Sequence, residues 1–220
     1  MTIFEAIHVR HAVRSYLDRA IPADVIAVLQ GEIDDCNREG GLHIQLVTNE
    51  PKAFDGMMAH YGKFSGVQNY VALIGKKCAD LDERLGYYGE RVALKAQTLG
   101  LNTCWVAMSF SKGAAKKNIK VGSDERLVCV LSLGYGAAQG VPHQSKPMET
   151  LCKADSAMPD WFKAGMEAAM LAPTAMNQQK FRLTLSGETV EAENLGGFYS
   201  KVDLGIVKYH FEVGSGRKIK

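Results

Sequence analysis

Helix-like and strand-like stretches follow one another along this chain without the strict strand–helix–strand rhythm of a parallel sheet. That order constrains the fold most, and it points to the α+β class. Thr2 and Glu5 form a T-x-x-E capping box, which predicts a helix at once, with Ile3, Phe4 and Ile7 inward and an end near Arg10. Pro22 opens a second helix whose Val25, Ile26, Leu29 and Ile33 recur at helical spacing until Gly40-Gly41 stop it. "LHIQLVT" (42–48) alternates as a strand, "KAFDGMMAHYG" reads as a short helix, and "NYVALIGKK" (69–77) reads as a buried strand. The longest helix is expected over 82–100, closed by Gly100, with "LNTCWVAMSF" following as a loop. "RLVCVLSLGYG" (126–136) is the most strand-like run of the chain. A helix over 159–173 should end at Pro173, because the residue before a proline avoids the helical region. "KFRLTLSGETVEAEN" reads as a hairpin turning at Ser186-Gly187, and "VDLGIVKYHFEV" as a helix running into a short strand.

The stretch from Pro22 to Thr48 and the stretch from Pro159 to Leu185 echo each other: proline, amphipathic helix, strand. The echo suggests two similar halves. We read one domain over 1–213, in two lobes of roughly 1–78 and 79–213, with a basic tail at 214–220.

A net charge of +2 on 220 residues asks for neither a nucleic acid nor an anionic membrane as partner. No apolar run reaches the length of a membrane span, and "MTIFEAIHVRH" lacks the apolar core of a signal peptide. The five cysteines are odd in number and form no C-x-x-C, so reduced, mostly buried thiols in a cytoplasmic protein are expected.

Two stretches carry candidate chemistry. Arg10 and Arg14 sit four apart, on one face of a helix or across its end. Their forks match phosphate oxygens two at a time; the alternative is a solvated face with ion pairs, for example to Asp18. In "APTAMNQQ", Asn177, Gln178 and Gln179 follow a helix end. They could cap its carbonyls, or pair with a ligand edge that alternates C=O and N–H, as an isoalloxazine does. Other motifs weigh less. Gly134–Gly140 approaches a dinucleotide fingerprint, but Pro142 and Pro147 deny it a helix N-terminus, so it reads as a strand end and turn. His8 and His11 have metal-ligand spacing without a carboxylate or cysteine cluster, and no metal is expected; one packed and one exposed histidine is the simpler reading. Cys104 is read as core, and no side chain is assigned as nucleophile or acid.

With these residues in hand, the chain resembles the nitroreductase family of FMN flavoproteins, in a divergent bacterial branch. The family signature Arg-(Arg/His)-Ser-x-(Arg/Lys)-x-(Phe/Tyr) stands here as Arg10-His11-Ala12-Val13-Arg14-Ser15-Tyr16. "APSxxNxQPW" stands as Ala172-Pro173-Thr174-Ala175-Met176-Asn177-Gln178-Gln179-Lys180-Phe181, and "LGLGTCW" as Leu99-Gly100-Leu101-Asn102-Thr103-Cys104-Trp105. "LGYP…KxRxP" is echoed by Leu133-Gly134-Tyr135 and Lys146-Pro147. Three departures stand out. The signature serine is Ala12, the proline-tryptophan is Lys180-Phe181, and the amide motif lies near the C-terminus rather than soon after the arginines.

The resemblance implies a nitroreductase-like fold, a central mainly antiparallel sheet flanked by helices. It implies FMN, with Arg10, Arg14 and Lys146 on the phosphate, His11 and Ala12 also among the cofactor-binding residues, and Thr174, Ala175 and Asn177 at the ring. Trp105, Val106 and Ala107 would supply apolar cover and a backbone N–H toward the flavin N5. NADH or NADPH would be a transient co-substrate, and a nitro compound, quinone or similar small molecule the acceptor. An FMN storage or sensing module without turnover is the alternative. A homodimer is implied by the family, whereas the internal echo suggests one chain imitating that dimer.

Overall fold

A computed structural model of the protein describes residues 1–219. In chain order the elements are α1 (Ile3–Val9), α2 (Ala23–Gly40), β1 (Gln45–Val47), α3 (Met57–Tyr61), β2 (Asn69–Lys76), α4 (Leu81–Thr98), β3 (Asn102–Val106), α5 (Lys112–Ala115), β4 (Glu125–Gly134), α6 (Met148–Leu151), β5 (Cys152–Ala154), α7 (Asp160–Ala169), β6 (Phe181–Ser186), β7 (Thr189–Asn194) and α8 (Ser200–Ser215). A 3₁₀ turn covers Ala175–Asn177. The chain forms two compact units. The first holds Met1–Val9, Asp82–Glu90 and the residues from His143 on; the second holds Arg10–Leu81 and Arg91–Pro142. Of the expected tail 214–220, Lys220 lies outside the described residues.

The second unit is built on a four-stranded antiparallel sheet in the order β1-β2-β4-β3. β2 and β4 form its centre, and Tyr70 to Ile74 are fully buried, as the unbroken apolar run requires. One face packs on Val13, Tyr16, Phe54, Phe64 and Phe110. α2 ends where Gly41 takes the left-handed conformation, φ 58, and its N–H closes on the carbonyl of Asn37. The stretch expected as a loop after α4 is instead β3, paired residue for residue with β4 from Asn102↔Gly134 to Val106↔Val130. Its polar residues hide the strand pattern, but they are used inside: Asn102 Oδ1 accepts the Gly136 N–H at 2.9 Å and Asn102 Nδ2 donates to Gln139 Oε1 at 2.9 Å.

In the first unit β6 lies between β5, parallel to it, and β7, antiparallel to it. The capping box of α1 forms as expected: Thr2 N–H donates to Glu5 Oε2 at 2.8 Å and Glu5 N–H to Thr2 Oγ1 at 3.2 Å. Ala6 and Ile7 face inward, whereas Phe4 is exposed and meets the His8 ring at a tilt, 4.8 Å between centroids. α7 stops at Ala169, and tight turn bonds at Leu171 and Ala172 fill the gap before Pro173. The hairpin turns at Gly187-Glu188, since Ser186 still pairs with Thr189. The tail is one helix rather than a helix and a strand. Its β-branched and aromatic residues serve helical packing: Val202, Ile206, Val207 and Phe211 are buried, with Phe211 against Phe162 at 5.6 Å. Gly165 makes room for that ring, because a Cβ there would lie 2.5 Å from it. His210 and Glu90, both fully buried, bond at 2.9 Å.

Candidate functional site

The second unit carries the arginine segment. α1 ends at Val9, so Arg10 and Arg14 both lie past the helix, on extended chain, rather than on a helix face or across its end. The segment is fixed by backbone bonds: Val13 N–H to Thr103 C=O at 3.1 Å, Ser65 N–H to Arg14 C=O at 2.9 Å, and Tyr16 N–H to Ser65 C=O at 3.0 Å. The turn after β4 clasps it from another side, with Leu17 N–H to Tyr135 C=O at 2.8 Å and Ala137 N–H to Ser15 C=O at 2.9 Å. Two glycines of "GYGAAQG" are required by that clasp. A Cβ at Gly140 would lie 2.8 Å from His11 Cβ, and one at Gly136 2.9 Å from Val13 Cγ1. The motif is a strand end and turn, as its sequence context indicated.

Arg10 is 5% exposed, Arg14 is exposed over the Phe64 ring, and the half-buried His11 puts Nδ1 3.0 Å from the Gln139 carbonyl. Both guanidiniums act on the buried thiol of Cys104. Burial pushes that thiol up, and the charges of Arg14 and Arg10 pull it down. Tyr16, the last residue of the motif, donates its hydroxyl to Val13 C=O at 2.7 Å and meets Ser132 Oγ at 2.8 Å; burial pushes its pKa well up. Ala12 bridges Thr103, whose hydroxyl is buried and has no hydrogen-bond partner. Trp105 and Val106 end β3, Val106 in the core and Trp105 half-buried, and Ala107 follows at the strand's exit.

The first unit carries the amide segment. Asn177 Nδ2 donates to Gln144 C=O at 2.9 Å, and Gln179 Nε2 donates to Gln144 C=O at 2.9 Å and to Asn177 Oδ1 at 3.0 Å. The exposed Lys146 puts its ammonium on Gln178 C=O at 2.7 Å, and its N–H on Gln179 Oε1 at 2.8 Å. Thr174 Oγ1 accepts the Gln179 N–H at 3.1 Å, leaving its own hydroxyl hydrogen outside that bond. The amides thus hold the segment's shape. Met176, Asn177 and Gln179 all take positive φ, at 52°, 53° and 47°. Ala175 N–H donates to Asp203 Oδ1 at 2.9 Å and Gln178 Nε2 to Asp203 Oδ2 at 2.7 Å.

Sequence reasoning missed Asp203. The signal for it was an aspartate inside the apolar run "VDLGIV". It also missed Asn102 and Gln139, whose amides tie β3 to the clasping turn. The five cysteines form no disulfide; Cys78 is exposed and the other four are buried. His8 is exposed with Nδ1 2.9 Å from Phe4 C=O, so neither His8 nor His11 is the packed histidine expected. Among the described residues no group of three or more His, Cys, Asp or Glu could hold a metal ion, and no helix is long and apolar enough to cross a membrane.

A family model described as "Putative TM nitroreductase" matches residues 2–215. The fold is similar to that of a putative nitroreductase from Thermotoga maritima, with 24% identity and a TM-score of 0.64 over 97% of this chain and 83% of that one. It is also similar to a putative NADH dehydrogenase/NAD(P)H nitroreductase from Bacteroides thetaiotaomicron, at 18% identity and a TM-score of 0.51, covering 68% of this chain and 95% of that one. A putative nitroreductase in complex with FMN from Desulfovibrio desulfuricans matches at 12% identity and a TM-score of 0.53, over 69% of this chain and 95% of its own. At these identities the likeness is one of fold: nitroreductase-like, α+β, with an antiparallel sheet flanked by helices. No curated protein matches the sequence.

Proposed function

Matched over residues 2–215, the chain belongs to the putative TM nitroreductase family, and on that premise we propose that it is an FMN-dependent oxidoreductase. Its donor would be NADH or NADPH, and its acceptor a nitro compound, quinone or similar small molecule. The FMN complex of the Desulfovibrio structure and the name of the Bacteroides one support that reading. The observation that carries it is the arginine segment itself, bonded through its backbone on several sides, with Arg10 almost fully buried and Arg14 exposed beside it. A buried positive charge favours an anion beside it, and guanidinium forks suit phosphate. The donor set of the second unit fits such a group: two forks, and a Thr103 hydroxyl with no hydrogen-bond partner.

FMN, when bound, supplies the two-electron chemistry that side chains lack. The residues bind and orient. Arg10 and Arg14 would take the phosphate, with His11 and the Ala12 backbone beside them. Ala12 has no hydroxyl to give the ring, where the family signature has serine. Trp105, Val106 and Ala107 would keep water off the flavin. In the first unit the same proposal gives Lys146 to the phosphate and Thr174, Ala175 and Asn177 to the ring. A homodimer belongs to this reading; the exposed Met57, Met58 and Tyr61 of α3 support an apolar face that a second copy would cover.

The test compares FMN with riboflavin, which lacks the phosphate. Arg10→Ala and Arg14→Ala each remove a charge-assisted bond worth roughly 1.5–3 kcal/mol, so FMN affinity should fall about ten- to a hundredfold while riboflavin affinity holds. Equal FMN affinity in both variants returns the arginines to a structural role. Anaerobic bleaching of the bound flavin by NADPH or NADH separates the oxidoreductase from a storage or sensing module, which would stay yellow.

A further inference from the structure

Asp203 stands in the first turn of α8, is 6% exposed, and has Val202, Leu204 and Ile206 as buried neighbours. A carboxylate in such surroundings weakens the fold unless something compensates. Both of its oxygens are engaged, and both by one short segment: Oδ1 by the Ala175 N–H and Oδ2 by Gln178 Nε2. Gln178 passes the hold on. The same Nε2 donates to Phe198 C=O at 2.7 Å, and the Gln178 carbonyl receives the Lys146 ammonium at 2.7 Å. Gly197 makes room for that side chain, since a Cβ there would lie 2.5 Å from Gln178 Oε1.

The segment so tied is disfavoured on its own. Three of its residues without glycine's freedom sit in the left-handed region within four positions, a state that persists only when the surroundings over-determine it. We propose that Asp203 is a positioning residue, kept at the expense of fold stability because its two oxygens hold residues 174–179 in the shape that meets the flavin. The inference rests on the reading that this segment contacts flavin.

The electrostatics agree. Burial pushes Asp203 up to about 6, and the bonds from Gln178 and Ala175 only partly offset it. The causes of the shift are burial and these two bonds, with no charged side chain among them. On α8, Lys208 pairs with Glu83 and His210 with Glu90; on β6 and β7, Arg182 and Glu193 face each other; on α1, Glu5 is bound to Thr2. The folded pKa is above the ordinary 3.8, so between those two values the folded chain holds a proton that the unfolded chain has lost. Stability from this group is therefore greatest at low pH and is lost as pH rises from about 4 through about 6.

The test uses the full chain and Asp203→Asn, which keeps the shape, removes the titration, and replaces one acceptor by a donor aimed at Gln178. Three quantities are read: the unfolding midpoint against pH, hydrogen exchange at the Ala175 amide, and FMN affinity at pH 7.5. The expected result is a midpoint difference, variant minus wild type, that grows in the variant's favour between pH 4 and 7. With it should come Ala175 exchange at least tenfold faster and FMN affinity at least tenfold weaker. A residue that serves only the fold would give the pH-dependent midpoint difference alone, with Ala175 exchange and FMN affinity unchanged. A pH-independent midpoint difference, or unchanged Ala175 exchange, overturns the role of Asp203 itself. Faster exchange with unchanged FMN affinity overturns the proposal through its premise, the flavin contact. Should Asp203→Asn fail to fold, Gln178→Met takes its place, removing one donor and the Phe198 bond together, with the same two outcomes read from Ala175 exchange and FMN affinity.

Discussion

Gly205→Ala on α8 should destabilise the protein, although helix propensity says the opposite. In a helix interior alanine is favoured over glycine by about 1 kcal/mol. In the first unit, however, α8 and the Asp82–Glu90 stretch of α4 meet backbone to backbone. A Cβ on Gly205 would lie 1.9 Å from the Glu83 carbonyl oxygen and 2.7 Å from the Tyr87 nitrogen, and one on Gly86 would lie 2.0 Å from the Val202 carbonyl oxygen. These are backbone atoms, which cannot swing aside as a long side chain can. A carbon–oxygen contact needs ~3.3 Å, so the helices must part by more than ~1 Å at that point. Overpacking of this kind costs about 1–3 kcal/mol and occasionally more; with both atoms rigid, ~3 kcal/mol net is expected, enough to lower the midpoint by roughly 6–12 °C. Gly31→Ala on α2 is the control, since nothing lies within 4 Å of its added Cβ; it should gain about 0.5–1 kcal/mol. Urea and thermal unfolding followed by circular dichroism read both. Wild-type stability in Gly205→Ala would refute the close crossing of α4 and α8.

The buried pair of the first unit should be more costly to halve than to delete. His210→Ala removes the imidazole from a fully buried Glu90 and should cost about 3–5 kcal/mol, whereas the double variant Glu90→Leu/His210→Leu should recover part of that loss in urea unfolding. Cysteine reactivity should sort by burial at pH 8: a thiol reagent should titrate Cys78 in the native protein, and the other four only on unfolding. Burial pushes Cys36 up to about 12 and raises Cys104 and Cys152 as well. Two or more fast native thiols would contradict the packing around them.

Local patterns determined much by sequence alone. The capping box at Thr2 and Glu5, the left-handed stop at Gly41, the unbroken apolar run of β2 and the strand–turn at Gly134 act over a few residues, so their physics is complete within the sequence window that contains them. The motifs resembling a flavoprotein signature were legible for the same reason, and the family match over residues 2–215 agrees with them. Tertiary structure decided what local physics leaves undetermined. β3 is a strand because β4 offers it a full register, not because "NTCWV" alternates. The "VKYHFEV" half of α8 is helical because Phe162 and the glycine gap at Gly165 wait for Phe211, overriding the strand preference of its β-branched and aromatic residues. Arg10 and Arg14 share no helix face; partners far along the chain, Thr103 and Ser65, fix the segment that carries them. Asp203 is the clearest case. In sequence it is one acid in an apolar run, and it becomes a latch only because Ala175 and Gln178 are folded to within hydrogen-bonding reach of its two oxygens. A burial cost can be read from one residue and its neighbours in sequence, whereas the partners that offset it come from anywhere in the chain.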